Sequence, residues 1–383
     1  MPPASALVPL WDRAAEWSRR LNMVETARSF LTLTTFYIEH DSYGRPLLAA
    51  LLAAQRRGVR VQLLVDAFGQ RLGGVLMTTA QRAALAADLM ALQSAGGQVR
   101  RYVPERWAQR ALGGGQHVKI QVSEAGEAIF GSGNLTKSSF EGWNEYAVAV
   151  RGPIVTALVD SLGAIGGEID AADRAALDAQ ARAEGGDLPL DYWLCNPNRL
   201  QGLGGPIGWK GRNEVTERMI EAVDSARHTL VITSFYFKPV KALLDAVLRA
   251  AHRGVRVEVF HSHRDALPTT DLAWIAAAAS YGSLLAAGVR IYENRRGEHS
   301  KIVLVDDAWA AFGSYNFEDA AHDRLAEAML ASRDARAVDP ILAIVEGLRR
   351  DPGTSEVTRD LARQWPARVR TRVARYGRFK WWM

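Results

Sequence analysis

His117–Asn134 reads HVKIQVSEAGEAIFGSGN, and His299–Asn316 reads HSKIVLVDDAWAAFGSYN. Each stretch has two apolar runs separated by a short polar turn, which predicts a β-hairpin. Because successive side chains of a strand point to opposite faces, His117 and Lys119 share one face, and Val118, Ile120 and Val122 take the other, core-facing side. Histidine next to lysine on one strand face favours an active site over a core position, since such side chains are rarely buried without a task.

The two hairpins agree at polar positions with one constant spacing, 182 residues. Much of the apolar sequence between these positions has drifted, although duplication would preserve core residues as readily as polar ones. The polar side chains are therefore the candidate site. The identical pairs are His117 and His299, Lys119 and Lys301, Ser132 and Ser314, Asn134 and Asn316, and Glu145 and Glu327.

The sequence around the hairpins repeats as well. Each half has an alternating run that ends in Phe-Tyr (Phe36-Tyr37 and Phe235-Tyr236), then an amphipathic helix that stops at Arg-Gly, then a Val-Arg-Val strand. Alternating strands and helices predict an α/β sandwich in each half. We expect two α/β sandwich domains related by pseudo-twofold symmetry, with residues 1–190 in the first and 191–383 in the second.

Three segments have no clear place in the repeat. Residues 104–116, PERWAQRALGGGQ, are an insertion that forms either a mobile loop beside the site or an inert surface loop. Residues 195–211 are rich in Gly, Pro and Asn and predict a linker. Leu272–Val289 carries no charge, but its counterpart in the first half is charged, so we interpret it as one helix of a soluble domain.

Composition limits the classes of binding partner but does not decide among them. The 383 residues carry a net charge of +5, which suits phospholipid, nucleic acid or a phosphorylated substrate. A single cysteine, Cys195, excludes an intrachain disulfide and a cysteine-rich zinc site. The N-terminal sequence has no basic start followed by an apolar run, so we expect no signal peptide and a cytoplasmic location.

The C-terminal segment is basic and aromatic. From Arg363 to Lys380 it has seven basic residues and no acidic residue, and Trp381 and Trp382 follow. Such a segment fits an anionic membrane surface. A helix that packs its apolar side chains on the domain fits equally well, and nucleic acid is less favoured.

The repeated side chains have a common chemistry. Imidazole is a nucleophile and a proton carrier near neutral pH. Lysine and the asparagine amide stabilise charge on phosphoryl oxygens without a metal, and a glutamate on the other ring nitrogen fixes the histidine tautomer. Displacement through a covalent intermediate needs two proton-handling groups on opposite sides of phosphorus, which two halves meeting at their hairpins would supply.

H-x-K, then Gly-Ser-x-Asn, then an acidic residue eleven positions after the Asn, occurs twice and resembles the signature of the phospholipase D superfamily. The flanking sequence NEYAVAVRGPIV is similar to bacterial cardiolipin synthases in particular. The resemblance implies two phospholipase D-like domains with one active site at their interface. It also implies a metal-independent phosphodiester exchange through a phosphohistidine, with no cofactor.

The resemblance further implies roles for the repeated residues. His117 would be the nucleophile and His299 the proton donor and acceptor. Glu145 and Glu327 would orient the histidines. The remaining pairs would hold the substrate: Lys119, Lys301, Asn134 and Asn316 at the phosphate oxygens, with Ser132 and Ser314 as further substrate-binding residues.

The expected function is phosphatidyl transfer between phospholipids and an alcohol, of the cardiolipin synthase kind, on anionic phospholipid at a peripheral membrane surface. The alternative is a phospholipase D or another phosphodiester hydrolase, because water can replace the alcohol. A nuclease and a non-catalytic binding module are less favoured, and nucleic acid is an unexpected partner.

The family signature also has an Asp after H-x-K-x4, and the first hairpin departs from it at this position. The first hairpin has Glu124 where the second has Asp306. Residue 124 is an odd number of positions from His117, so strand alternation turns it away from the catalytic face, and it lies where the hairpin begins to turn. We expect Glu124 to have a structural role and Glu145 to be the catalytic acid of the first half.

Overall fold

The structure is a computed structural model that describes residues 2–199, 212–268 and 270–377. The strands of the first half are β1 (Pro3–Ala4), β2 (Ala6–Leu10), β3 (Phe30–Thr35), β4 (Arg60–Asp66), β5 (Gln98–Tyr102), β6 (Gly115–Gln116), β7 (Ile120–Ser123), β8 (Glu127–Gly131), β9 (Ala147–Arg151) and β10 (Leu188–Pro189). Its helices are α1 (Arg13–Thr26), α2 (Gly44–Arg56), α3 (Ala67–Leu76), α4 (Thr79–Ser94), α5 (Trp107–Ala111), α6 (Pro153–Leu162) and α7 (Ala171–Glu184).

The second half follows the same plan. Its strands are β11 (Asp191–Cys195), β12 (Thr229–Ser234), β13 (Arg256–Ser262), β14 (Arg290–Asn294), β15 (Ile302–Val305), β16 (Trp309–Gly313), β17 (Leu325–Ser332) and β18 (Thr354–Val357). Its helices are α8 (Glu214–Ser225), α9 (Lys241–His252), α10 (Leu272–Ala278), α11 (Tyr281–Ala286), α12 (Asp319–Asp323), α13 (Ala335–Arg350), α14 (Arg359–Gln364) and α15 (Ala367–Tyr376).

Each half contains one mixed sheet, and the two sheets have the same strand order. The first is β2-β9-β8-β7-β3-β4-β5, and the second is β11-β17-β16-β15-β12-β13-β14 with β18 added at its edge. In both sheets three strands run parallel (β3-β4-β5 and β12-β13-β14) and the hairpin pairs antiparallel with the first of them. The predicted α/β class and the internal repeat are confirmed.

The two sheets share one apolar core. Side chains from β7–β9 and β15–β17 meet there with α6 and α13, and the rings of Tyr146 and Phe312 lie 5.1 Å apart. Val118, on the face opposite the H-x-K side chains, is fully buried in this core. Helices α1, α2 and α4 cover the outer face of the first sheet, and α8 and α9 cover that of the second. The shared core fixes the two hairpins relative to each other, because removing apolar surface from water favours a single packed arrangement.

Two of the three unplaced segments fold differently from expectation. Residues 104–116 form α5 and β6 instead of an irregular loop. The prediction of a single helix over Leu272–Val289 is wrong. The structure has two short helices there, α10 and α11, with a break after Ala278. Within the described residues, no helix is both long and apolar enough to cross a membrane. The predicted linker begins with the last residue of β11, and its residues 200–211 lie outside the described residues, as do 378–383 with Trp381 and Trp382.

The domain boundary at 190/191 stays a prediction. β10 pairs with β1, whereas β11 is the edge strand of the second sheet, so the chain passes between the two sheets near this position.

Glu124 ties the hairpin turn to the start of β3. Its carboxylate accepts the backbone N–H of Arg28 at 2.6 Å and of Phe30 at 3.4 Å. Asp306 does the same in the second half, where it accepts the backbone N–H groups of residues 227–229 at 2.7–3.2 Å. Both acids lie at the turn end of the hairpin, so their role is to satisfy main-chain donors.

Replacing Glu124 should therefore change stability and not chemistry. We expect Glu124→Ala to lower the free energy of unfolding by about 1 kcal/mol, the usual cost of a lost hydrogen bond, with turnover unchanged. Glu124→Asp, which introduces the residue that the second hairpin has at this position, should leave both quantities near wild type. Urea unfolding with a parallel activity assay measures this, and a large loss of activity in Glu124→Asp would contradict the structural role.

Candidate active site

The first hairpin is anchored in the sheet of the other half. Strand β6 pairs in parallel with the first two residues of β17. The next residue along, His117, donates its backbone N–H to the carbonyl of Ala326 at 2.8 Å. His117 therefore lies beside Glu327, the residue that follows Ala326.

The second hairpin makes the equivalent connection. Asn144 and Glu298 form a parallel bridge, and His299 donates its backbone N–H to the carbonyl of Asn144 at 2.8 Å. Since Glu145 follows Asn144, this bond brings His299 beside the glutamate of the first half. Main-chain geometry thus assigns each histidine to the glutamate of the opposite half.

The side chains complete the exchange. Nδ1 of His299 lies 2.8 Å from Oε2 of Glu145. Nδ1 of His117 lies 3.1 Å from Oε1 of Glu327 and 3.0 Å from the backbone carbonyl of Ser314. Both glutamates are fully buried. Sequence reasoning expected the glutamates to orient the histidines, and the structure shows that the pairs cross between the halves.

The two serines contact the glutamates. Ser132 donates its hydroxyl to Oε2 of Glu145 at 2.5 Å, and Ser314 donates to Glu327. Each hydroxyl also accepts a backbone N–H at 3.0 Å, from the residue following the glutamate. This geometry holds the carboxylates in place, while the substrate-binding role given to Ser132 and Ser314 stays a prediction.

The two lysines lie beneath the histidines and are buried. Lys119 donates to the backbone carbonyl of His117 at 2.6 Å, and Lys301 donates to that of His299. Nζ of Lys301 also lies 2.8 Å from Nδ1 of His299. Two ammonium groups buried near two imidazoles and two carboxylates form a site suited to an anion, because a buried charge needs a counter-charge.

One cavity of about 500 Å³ joins the two hairpins. His117 and His299 both line it, together with Asn134 and Asn316. The carbonyl oxygens of both asparagine side chains are buried without a hydrogen-bond partner. The structure therefore brings all the repeated residues together. The histidines and asparagines line the cavity, the lysines and glutamates contact the histidines, and the serines contact the glutamates.

Aromatic side chains that sequence reasoning did not assign complete the wall. Phe36 meets the ring of His117 edge-on at 4.8 Å, and Phe235 meets that of His299 at 4.6 Å. The repeat of Phe-Tyr at matching strand ends was the signal that could have identified them. Lys238 and Glu318, an ion pair of 3.2 Å at the cavity, have no repeated counterpart that would have revealed them.

One aromatic contact breaks the symmetry. Trp143 stacks on His299 with ring centroids 4.8 Å apart and an interplanar angle of 20°. The position 182 residues later is Leu325, which lines the cavity and packs with Phe36. Only His299 of the two therefore has a stacked indole, and an aromatic face stabilises a cation.

Burial sets the protonation of the bases. It lowers the pKa of His299 to about 3, and the charge on Lys301 adds to this against the attraction of Glu145. Burial lowers the pKa of His117 well below its ordinary value, as do the charges of Lys119 and Lys301. Burial also lowers the pKa of Lys301 to about 8. Both histidines are thus neutral near pH 7, the form that a nucleophile needs.

The pKa values of the two glutamates shift in opposite directions. Burial alone would raise the pKa of Glu145, but its contacts with His299, Lys301 and Ser132 outweigh burial and lower it to about 2. Burial raises the pKa of Glu327 to about 8 against the opposing effect of Lys119 and Ser314. The pKa of Glu145 is therefore lowered beside His299, whereas that of Glu327 is raised beside His117. The second histidine has the environment that better stabilises an imidazolium.

Within the described residues, no three His, Cys, Asp or Glu side chains are grouped so as to hold a metal ion. Metal independence itself stays a prediction.

The crossed pairs can be observed directly. Because Glu145 contacts His299, we expect Glu145→Gln to shift the ring ¹⁵N resonances of His299 and to leave those of His117 nearly in place, with the converse for Glu327→Gln. NMR of ¹⁵N-histidine protein, assigned with His→Ala variants, measures this. Glu145→Gln should also lower turnover by about a hundredfold or more, since the glutamate orients the base. A shift confined to the histidine of the same half would contradict the crossed arrangement.

Comparison with known proteins supports the resemblance to the phospholipase D superfamily. A family described as "Cardiolipin synthase, PLD-like domain" matches residues 21–162 and 219–349. Cardiolipin synthase B of Escherichia coli (strain K12) is 29% identical over 306 residues, which cover 76% of this chain and 68% of that protein. The crystal structure of phosphatidylserine synthase from Haemophilus influenzae Rd KW20 aligns with a TM-score of 0.73 at 15% identity, covering 100% of this chain and 97% of that one.

The yeast tyrosyl-DNA phosphodiesterase structure aligns with a TM-score of 0.51 at 14% identity, covering 86% and 90% of the two chains. At these identities the two solved structures show a common fold alone. The two segments matched by the family together span most of the chain, and each contains one complete set of the repeated His, Lys, Ser, Asn and Glu. The chain belongs to the phospholipase D-like domain family of the cardiolipin synthase type.

Proposed function

We propose that this protein transfers a phosphatidyl group between phospholipids and an alcohol, in the manner of a cardiolipin synthase, through a phosphohistidine. The observation that carries the proposal is that His117 and His299 line one cavity, each with Nδ1 at a glutamate of the opposite half. A relative named cardiolipin synthase B supports the choice of phospholipid as the substrate.

His117 is the nucleophile. Nδ1 of its ring faces the carbonyl of Ser314, which can only accept, so the ring proton lies on Nδ1 and the lone pair lies on Nε2. Nε2 attacks phosphorus and forms a P–N bond as the P–O bond to the leaving alcohol breaks. The leaving oxygen takes a proton from His299, whose imidazolium is stabilised by ionised Glu145 and stacked Trp143.

The second step reverses the first. His299, now neutral, removes the proton from the acceptor alcohol, whose oxygen attacks phosphorus. The new P–O bond forms as the P–N bond to His117 breaks, which returns both histidines to their starting state. Water in place of the alcohol would give hydrolysis by the same steps, so the acceptor decides the reaction class.

The lysines and asparagines bind the phosphate oxygens. Lys119 and Lys301 are buried near both histidines, and the anionic phosphodiester supplies the counter-charge that keeps them protonated. The same anion between the rings raises the pKa of His299 and so loads it with the proton that the leaving group needs.

Phospholipids with long acyl chains are held in a membrane, so their transfer requires contact with its surface. We include peripheral membrane association and a cytoplasmic location in the proposal.

A lipid assay tests the reaction. Incubation of the protein with phosphatidylglycerol and chelator should release glycerol and give a lipid with two phosphatidyl groups. Phosphatidic acid as the product would identify a hydrolase instead. Cleavage of single-stranded DNA alongside unreacted lipid would contradict the proposal, and loss of activity with chelator would contradict metal independence.

Both histidines should be needed. His117→Ala and His299→Ala should each lower turnover by about a thousandfold or more, because each removes a group that handles bond making or protons. His228→Ala, which replaces a histidine outside the cavity, is the matched control. Substantial activity in either cavity variant would contradict the paired mechanism.

The pH profile reports the buried lysine. Because the pKa of Lys301 lies at about 8, its positive form dominates below that pH and is lost as the pH rises. We expect kcat/KM to fall above about pH 8. Lys301→Arg keeps the charge at all pH values and should move this fall to higher pH, whatever its effect on the maximum rate. Lys241→Arg, at an exposed position, should leave the profile unchanged. An unmoved alkaline fall in Lys301→Arg would exclude Lys301 as its cause.

A further inference from the structure

Three exposed apolar side chains surround the mouth of the catalytic cavity. Leu72 and Val75 on α3 are 46% and 70% exposed, and Leu272 at the start of α10 is 38% exposed. All three line the cavity, and they come from both halves of the chain. We call these three residues the lip.

Two glycines let α3 pack closely on the aromatic wall of the site. Gly69 and Gly73 lie on the same side of the helix, where a Cβ atom would come within 2.3 Å of the Phe36 carbonyl and 2.5 Å of the Tyr37 ring. These glycines allow α3 to pack directly on the aromatic wall of the site. Leu72 and Val75 of the same helix remain exposed at the edge of this contact. Exposed apolar residues beside a site are costly in water, so they indicate an apolar partner.

A basic helix adjoins the lip. Helix α15 buries Val369 against the second half, which agrees with the packed-helix alternative for the described part of the C-terminal segment. Arg372 of α15 makes a two-pronged ion pair of 2.7 and 2.8 Å with Asp271, the residue before Leu272. Arg368 and Arg370 are exposed on the same helix, which contains no acidic residue.

We propose that the lip and the exposed arginines of α15 form one surface that docks on an anionic phospholipid bilayer, with the acyl chains of the bound lipid leaving the cavity over Leu72, Val75 and Leu272. The proposal rests on the proposed function for the identity of the lipid. Continuity of the lip with the cavity argues for lipid chains, and the adjacent arginines argue for an anionic headgroup surface. Headgroups then reach the histidines while the chains stay in apolar surroundings.

Vesicle flotation tests this surface without turnover. The full chain carrying His117→Ala is mixed with vesicles of phosphatidylglycerol and phosphatidylcholine, or of phosphatidylcholine alone. Val75→Glu and Leu272→Glu should each weaken binding about tenfold, because a charge replaces an inserted apolar group. Met90→Glu, at a side chain that is 62% exposed on α4 and away from the cavity, should bind like the parent.

The arginines have their own control. Arg368→Gln with Arg370→Gln should weaken binding to the anionic vesicles about twenty-five-fold at low salt, at about fivefold for each charge. Arg28→Gln with Arg56→Gln removes the same charge from exposed positions of the first half and should have little effect.

The possible outcomes distinguish failure of the proposed surface from failure of the proposed function. Unchanged binding in Val75→Glu, or an equal loss in Met90→Glu, would overturn the proposal, and Val75→Glu alone decides if Leu272→Glu melts at a lower temperature than its parent. A parent that floats while the wild-type protein transfers no phosphatidyl group would contradict the proposed function and leave the surface standing. Transfer from dissolved short-chain phosphatidylglycerol without flotation would do the reverse.

Discussion

The site depends on two backbone hydrogen bonds that cross between the halves, from His117 to Ala326 and from His299 to Asn144, each 2.8 Å long. They place each histidine next to the glutamate of the other half. A single half has a histidine, a lysine and a glutamate, yet it has no partner for its own histidine. The shared core between the sheets holds these crossings in register, since one slipped residue would turn every side chain to the other face.

Burial shifts the pKa values of the ionisable side chains and thereby sets the chemistry of the site. Two lysines, two histidines and two glutamates lie together with almost no exposure. Burial favours the neutral form of both imidazoles, which keeps them ready to act as bases. A phosphodiester anion restores the missing negative charge between the lysines. The site is therefore most stable when the reacting group is in place, and interactions that strengthen as charge develops on phosphorus are the ones that speed the reaction.

Much of this architecture could be predicted from sequence because the chain repeats itself. Two copies of one hairpin with a fixed spacing gave the class of fold, the repeated residues and the turn role of Glu124. The crossing of the glutamates could not be predicted, because it depends on how two sheets meet and not on spacing within either.

Three further features of the structure could not be predicted from the sequence. Residues 104–116 gave no sign that β6 would join the sheet of the other half, since its two residues carry no strand pattern of their own. Leu272–Val289 has the composition of one helix, but it folds as two. Trp143 breaks the symmetry of the histidines through a contact that no repeat could indicate, because its counterpart is Leu325.

The central claim is that one histidine carries the phosphatidyl group while the other handles protons. The most direct test is to quench the wild-type protein during turnover of ³²P-labelled phosphatidylglycerol and to locate the label by peptide mass spectrometry under alkaline conditions, where phosphohistidine survives. The account predicts label on the peptide that contains His117 and none on that peptide in His117→Ala. Label on His299, or turnover without any labelled histidine, would contradict it.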